Sequence, residues 1–311
     1  MLVLGCGAMF GQTQTSSILG TVVDPAGAVV ASAAVTITNQ GTAAVNSLTT
    51  DSSGLFRITN IFAGNYSVKV TASGFKAYEV KDIALGAGDT RDLGKLSLQL
   101  GQSTESINVT AEIAAVQTAT SEKAGLINTQ DDLNVVAIKG RDMMSYMKLL
   151  PGVVDTSNGR DASGGSIMGG LSFSGNTGIV GYSVDGATDM DTGCASCFAH
   201  FEPNIDSISE VKVLTSNFSA EYGRNSGATI SVATKSGTQQ FHGSAWWTHR
   251  HEDFNANSFS NNQTGVQRQR YRYNIQGWSF GGPVYIPHHF NKNKTRIFAF
   301  GSQEYTQRFW S

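Results

Sequence analysis

The residues with most chemical potential fall into a few short groups. Cys194-Ala195-Ser196-Cys197 has CxxC spacing, with His200 and Glu202 close behind. Four such ligands could close a structural zinc site. A second Cys pair is absent, however, and Phe198 rather than His follows Cys197, which excludes the c-type haem pattern. Asp185, Asp189 and Asp191 lie in one Gly/Thr-containing loop, which offers oxygen ligands of the type calcium takes. They lack the EF-hand spacing, so a solvated loop is the simpler reading. Ser166 and Ser174 have no nucleophile-elbow sequence around them and make no triad with His200. His249-Arg250-His251-Glu252-Asp253 gathers metal-capable groups, but reads better as a charged turn. These groups imply no catalytic residue, no metal and no cofactor, and the expectation is that the chain is not an enzyme.

Composition points to what must position such groups. The chain has 311 residues, 35 of them Gly and 5 Pro, and only 15% are charged, against about 25% in ordinary globular domains. That favours many short strands and turns. A hydrophobic content of 40% is too high for a disordered polymer. No apolar run reaches the length of a membrane-spanning helix. With 22 basic and 24 acidic residues, there is no basic domain of the kind nucleic acid requires.

Charge is segregated along the chain. Residues 1–100 carry 6 acidic and 6 basic groups, residues 101–240 carry 15 and 8, and residues 241–311 carry 3 and 8. The last segment also holds 16 of the 29 aromatics and five of the six His. Such shifts mark changes of physical environment. At the other end, Met1 to Gly11 is apolar and uncharged. Residues 1–14 read as a signal-peptide remnant lacking its basic start; a lipoprotein site at Cys6 is the alternative, and both imply export. In an exported chain, Cys194 and Cys197 read as a local disulfide.

Residues 15–100 alternate apolar runs with turn signals. Ile18 to Val23, Val35 with Ile37, Leu55 to Ile58, Tyr66 to Thr71, and Leu96 with Leu98 and Leu100 all have strand periodicity. Seven or so short strands predict a β-sandwich. The pattern Gly20-x-Val22-x-Asp24-x-x-Gly27, Asp51-x-x-Gly54-x-Phe56, Gly64-x-Tyr66-x-Val68-x-Val70 and Gly74-Phe75 resembles the carboxypeptidase regulatory-like domain. The resemblance implies a prealbumin- or immunoglobulin-like sandwich related to carbohydrate-binding folds, with no catalytic zinc. The glycines are expected where turns need positive φ, and Phe56 and Tyr66 in the core. A plain spacer role is expected of this domain.

Residues 101–120 read as a linker. Within it, Glu105-Ser106-Ile107-Asn108-Val109-Thr110-Ala111 resembles the TonB box of outer-membrane transporters. Its mechanism is strand addition: an extended peptide offers backbone groups to a sheet edge while alternate side chains, here Ile107 and Val109, enter pockets. The reading without a partner is an edge strand followed by a linker.

Residues 121–240 mix helix and strand. Met143 to Leu150, with Asp142 as N-cap and Pro151-Gly152 as stop, predicts a short helix whose Met residues are core. Residues 152–178 read as loop. Val184-Asp185-Gly186, Ile205 to Leu214 including Glu210, then Glu221-Tyr222-Gly223-Arg224, Gly227 to Val232 and Thr234-Lys235 resemble, in this order, the plug of TonB-dependent outer-membrane receptors, most closely the Oar-like branch. The resemblance implies an α+β plug inside a barrel of about 22 strands, with Glu210 and Arg224 facing the barrel wall.

Residues 241–311 contain three strand-like runs: Phe241 to His249, Arg272 to Pro283, and Thr295 to Tyr305, with a turn at Asn291 to Lys294. Their length and aromatic content suit membrane strands, and they resemble the first barrel strands of the same receptors. Three or four strands cannot close a barrel, and open edges in hydrocarbon are prohibitive. The expectation is therefore mainly β: a sandwich, an α+β plug and the first strands of an incomplete transmembrane barrel. This would be an N-terminal portion that does not transport alone. The implied location is the outer membrane with the sandwich in the periplasm. The implied partners are TonB with its inner-membrane energising complex, an unknown extracellular ligand and outer-membrane lipid, but no nucleic acid. A secreted carbohydrate-binding or adhesion module is the rival class, and a zinc peptidase, short of ligands, the third.

Overall fold

The computed structural model describes residues 15–101, 106–110, 123–128, 141, 143–155, 171–176, 179–190, 201–218, 222–223, 225–268 and 270–310. The chain divides into two compact units between Thr234 and Lys235. Among the described residues, no helix is long and apolar enough to cross a membrane.

The first unit opens with seven strands: β1 (Ser16–Val23), β2 (Ala34–Asn39), β3 (Val45–Thr49), β4 (Leu55–Ile61), β5 (Gly64–Thr71), β6 (Ala77–Leu85) and β7 (Thr90–Ser97). An eighth, β8 (Ser106–Thr110), joins them. They form a three-stranded sheet, β4-β1-β7, and a five-stranded sheet, β3-β2-β5-β6-β8. One core cluster draws on both, including Ile18, Val22, Val35, Ile37, Val68, Val70, Ile83 and Leu96. Alternation in β5 buries Tyr66, Val68 and Val70, and Phe56 and Tyr66 are core aromatics as the sequence implied.

The repeated Asp-x-x-Gly has a local cause. Asp24 Oδ1 accepts from the Ala26 and Ala28 N–H groups at 2.9 and 2.8 Å. Asp51 Oδ1 accepts from those of Ser53 and Leu55 at 2.8 and 2.9 Å. Each turn ends in a positive-φ glycine, Gly27 at 87° and Gly54 at 71°, a conformation that costs little only without Cβ. Gly20 differs: it lies within β1, and a Cβ there would come within 2.9 Å of the Phe56 ring. Close packing, not turn geometry, selects it.

The rest of this unit holds β9 (Lys123–Asn128), α1 (Met143–Met147), β10 (Val153–Asp155), β11 (Leu171–Phe173), β12 (Gly181–Val184), β13 (Ala187–Thr188), β14 (Ile208–Ser216) and β15 (Thr229–Thr234). A five-stranded sheet runs β13-β12-β15-β14-β9. Met143, Met144, Met147 and Tyr146 of α1 join its core with Phe173, Tyr182, Val211, Val213, Ile230 and Val232. The helix is shorter than its apolar run suggested. Leu149 and Leu150 N–H bond to Tyr146 and Met147 C=O, three residues back, so the last turn tightens before Pro151. Asp142 lies outside the described residues. The expectation of loop across residues 152–178 is corrected in part, because β10 and β11 pair antiparallel there. Burial of Leu171, Ser172 and Phe173 supports a hairpin that Gly/Ser-rich surroundings concealed.

The second unit is a three-stranded antiparallel sheet of β16 (His242–Arg250), β17 (Tyr271–Pro283) and β18 (Phe298–Trp310). The β16–β17 connection carries α2 (Phe259–Thr264). It is capped by the Ser258 side chain, which accepts from Asn261 N–H, and stopped by Gly265 at φ 71°. Asn291 orders the β17–β18 connection: its Oδ1 accepts from Thr295 and Arg296 N–H at 2.9 and 3.1 Å, while Nδ2 donates to Val284 and Ile297 C=O.

Candidate functional site

Residues 106–110 of the box-like motif form β8, which pairs in parallel with β6. The register sets Ser106 opposite Ala77, Ile107 opposite Tyr78, Asn108 opposite Glu79, Val109 opposite Val80 and Thr110 opposite Lys81. Glu105 and Ala111 lie outside the described residues. Among the described residues, the segment is thus the edge strand of the larger sandwich sheet.

At its C-terminal end β6 runs into the connection Gly86-Ala87-Gly88-Asp89, which meets β14. Glu210 Oε1 accepts from the Ala87 N–H at 2.8 Å. Lys212 Nζ donates to Asp89 Oδ1, also at 2.8 Å. Asp89 Oδ2 accepts in turn from Gly86 N–H at 3.0 Å. Burial pushes the Glu210 carboxyl above its ordinary value, against the Ala87 N–H, which stabilises the anion; the Asp89 charge adds to the rise and Lys212 opposes it. Lys212 is only 8% exposed, which suits a cation held by a partner and not one left in an apolar sheet. The expectation that Glu210 faces a barrel wall is corrected: within its own unit it binds the sandwich. Arg224 and Glu221 lie outside the described residues. Tyr222 is half-buried and Gly223 exposed.

Asp185 and Thr234, from two separate motif pieces, do come together. Asp185 Oδ1 accepts from the Thr234 N–H at 2.8 Å and Oδ2 from its hydroxyl at 2.7 Å. Asp185 adopts φ 48° and Gly186 φ 82°, so β12 turns tightly into β13 while the carboxylate closes the end of β15. Asp189 Oδ2 accepts from Phe201 N–H at 2.8 Å. Both carboxylates are therefore engaged in fixing backbone. Cys194, Cys197 and His200 lie outside the described residues, as do Asp191 and Ser166. Lys235 is half-buried just after β15. Among the described residues, no three His, Cys, Asp or Glu side chains group as metal ligands; Glu252 instead pairs with Arg272 at 3.1 Å.

In the second unit, alternation separates two faces. One carries Trp247, Trp278, Phe280, Tyr305 and Phe309, all at least 47% exposed. The other carries Trp246, Tyr273, Ile275, Glu304 and Arg308. There Trp246 Nε1 donates to Glu304 Oε2 at 3.0 Å, over Gly277, where a Cβ would strike the indole. Arg308 lies 4.9 Å from the Tyr273 ring centroid.

The grip on Glu210 and Lys212 was missed in the sequence. Its one signal was Lys212 between Val211 and Val213, a charge inside an apolar strand; the partner residues look like an ordinary turn.

Residues 17–100 match the carboxypeptidase regulatory-like domain, and residues 233–309 match the outer membrane beta barrel domain. The TonB-dependent transporter Oar of Myxococcus xanthus is 26% identical over 91% of this chain and 27% of that protein. The chain thus spans about a quarter of the length of the curated relative it matches. Among solved structures, a mercury-inhibited catechol 1,2-dioxygenase of Acinetobacter sp. ADP1 is 12% identical over 33% of this chain and 60% of its own, with a TM-score of 0.25. A type II cohesin–X-dockerin complex of Acetivibrio cellulolyticus is 24% identical over 28% and 58%, with a TM-score of 0.23. Scores this low bear on neither fold nor activity. The chain is Oar-like: it joins a carboxypeptidase regulatory-like domain to an outer membrane beta barrel domain and is similar across 91% of its length to a TonB-dependent transporter.

Proposed function

We propose that these residues serve as the sandwich, TonB box, plug and first wall strands of a TonB-dependent outer-membrane receptor. Residues 15–100 would lie in the periplasm, 101–120 carry the box, 121–240 form the plug and 241–311 begin the wall. A ligand outside would bind the assembled receptor. TonB, driven by the inner-membrane complex, would take residues 105–111 as an added strand and pull, remodelling the plug. The role is transport, with no catalytic residue.

The observation that best supports this is the two-faced sheet of the second unit. Its strands of 9, 13 and 13 residues are long enough to cross hydrocarbon when tilted. One face exposes the aromatics Trp247, Trp278, Phe280, Tyr305 and Phe309 among polar side chains, and the other carries the Trp246–Glu304 bond, Thr248 and Arg308 beside buried Tyr273 and Ile275; exposed rings on one side and hydrogen-bonded charge on the other suit a wall between lipid and a wet interior. The test of the energy-coupling step is retention of a peptide spanning residues 103–112 by the immobilised TonB C-terminal domain. Val109→Pro should abolish retention, because proline fixes φ and removes a ladder donor. Equal retention would overturn strand addition.

A further inference from the structure

We propose that the sandwich sheet is a closed latch for the TonB box: β6 and TonB compete for the same strand, so the box is withheld until β8 leaves β6. The proposal rests on reading residues 105–111 as that box.

Three observations carry it. First, β8 is already an added strand, its five residues paired with Ala77 to Lys81. The backbone groups of β8 that face β6, half of those an extended strand can offer to a partner, are in use within the chain. Second, the register aligns Ile107 with Tyr78 and Val109 with Val80. Val80 is 6% exposed, and Tyr78 packs against the sandwich core. The two alternate positions of the box are therefore in backbone register with sandwich positions. A partner that seats them must first lift the strand. Third, β8 is a short parallel strand that, among the described residues, is at a sheet edge and paired on one side only. Parallel pairing is slightly the weaker kind, so such a strand can be exchanged without unfolding the sandwich. Its departure would break the β6–β8 backbone ladder and merely make β6 the edge in its place, so those hydrogen bonds are lost with nothing gained. That bias keeps the latch closed when no partner is present.

The test titrates the TonB C-terminal domain against the full chain in detergent and against a free peptide of residues 103–112. A latch makes the peptide bind at least tenfold tighter than the chain. Glu79→Cys with Asn108→Cys, with the native cysteines replaced by serine, can staple β8 to β6 and leaves Ile107 and Val109 untouched. Oxidation should weaken TonB binding at least a further tenfold, and reduction should restore it. Equal affinity of the oxidised and reduced forms would overturn the latch while leaving the box reading intact. A peptide that does not bind at all would sink the box reading and the latch with it. Hydrogen exchange on the unmodified chain provides a check that needs no variant. Residues 106–110 should be protected without TonB, and the amides of residues 77–81 that face β8 should lose protection when TonB saturates. Retained protection of residues 77–81 would mean that TonB joins the outer edge of β8, and the latch would be rejected.

Discussion

Glu210 Oε1 accepts a 2.8 Å hydrogen bond from the Ala87 backbone N–H, joining a strand of the central sheet to the connection that follows β6. The carboxyl is raised above its ordinary 4.5, chiefly because burial penalises its charge. The sign follows. A raised carboxylate contributes stability that is present below the unfolded pKa and is lost as pH rises through the folded one. Glu210→Gln keeps an oxygen acceptor for Ala87 and removes the charge. Melting temperatures measured from pH 4 to pH 8 should show the native chain losing ground to the variant as pH climbs past 4.5. A constant difference across that range would show that the charge is not the cause.

Asp185 binds both the backbone and the hydroxyl of Thr234. Asp185→Ala should destabilise the central sheet by about 2–3 kcal/mol, since two bonds to a charged acceptor are lost. Thr234→Val removes only the hydroxyl and should cost about 1 kcal/mol. Exchange rates of the β12 and β15 amides measure both, and equal effects would contradict the two-bond arrangement.

Gly54 and Gly27 both have positive φ, yet their surroundings differ. A Cβ at Gly54 would lie 2.7 Å from the Val22 carbonyl oxygen, whereas none of the neighbouring atoms comes within 4 Å at Gly27. Gly27→Ala should cost about 1–2 kcal/mol from the backbone alone. Gly54→Ala should cost at least about 1 kcal/mol more, because a strand must shift. Exchange protection in β1 and β4 distinguishes the two; a matching loss would show that φ alone matters.

Trp246 and its neighbour Trp247 sit on opposite faces of β16, and Trp246 bonds Glu304. In single-tryptophan variants placed in bilayers with brominated acyl chains, fluorescence from Trp247 or Trp278 should be quenched several-fold more than that from Trp246. Uniform quenching, or none, would remove the lipid-facing assignment of the aromatic face.

Much of the sandwich was legible because its determinants are local. Asp24 with Gly27, and Asp51 with Gly54, build their turns within five residues, and alternation in β5 sorts core from solvent directly. Strands β3 and β6 carried weaker signals. β3 is almost wholly exposed, and β6 interrupts its alternation with Asp82 at φ 58°. The β10–β11 hairpin was hidden because three-residue strands in a Gly/Ser-rich stretch have no period to read.

The sequence by itself determined the class of each segment: sandwich strands, box-like motif, a central α+β region, and long two-faced strands rich in aromatics. Periodicity, turn chemistry and charge segregation act over a few residues, so they survive in one dimension. Only the tertiary structure decided partners. It brought Asp185 to Thr234 across 49 residues and Glu210 to Ala87 across 123, and it seated residues 106–110 on β6. A strand's backbone can pair with any compatible edge, and a carboxylate with any nearby N–H. The choice among them is made by packing of distant segments, which no local pattern encodes.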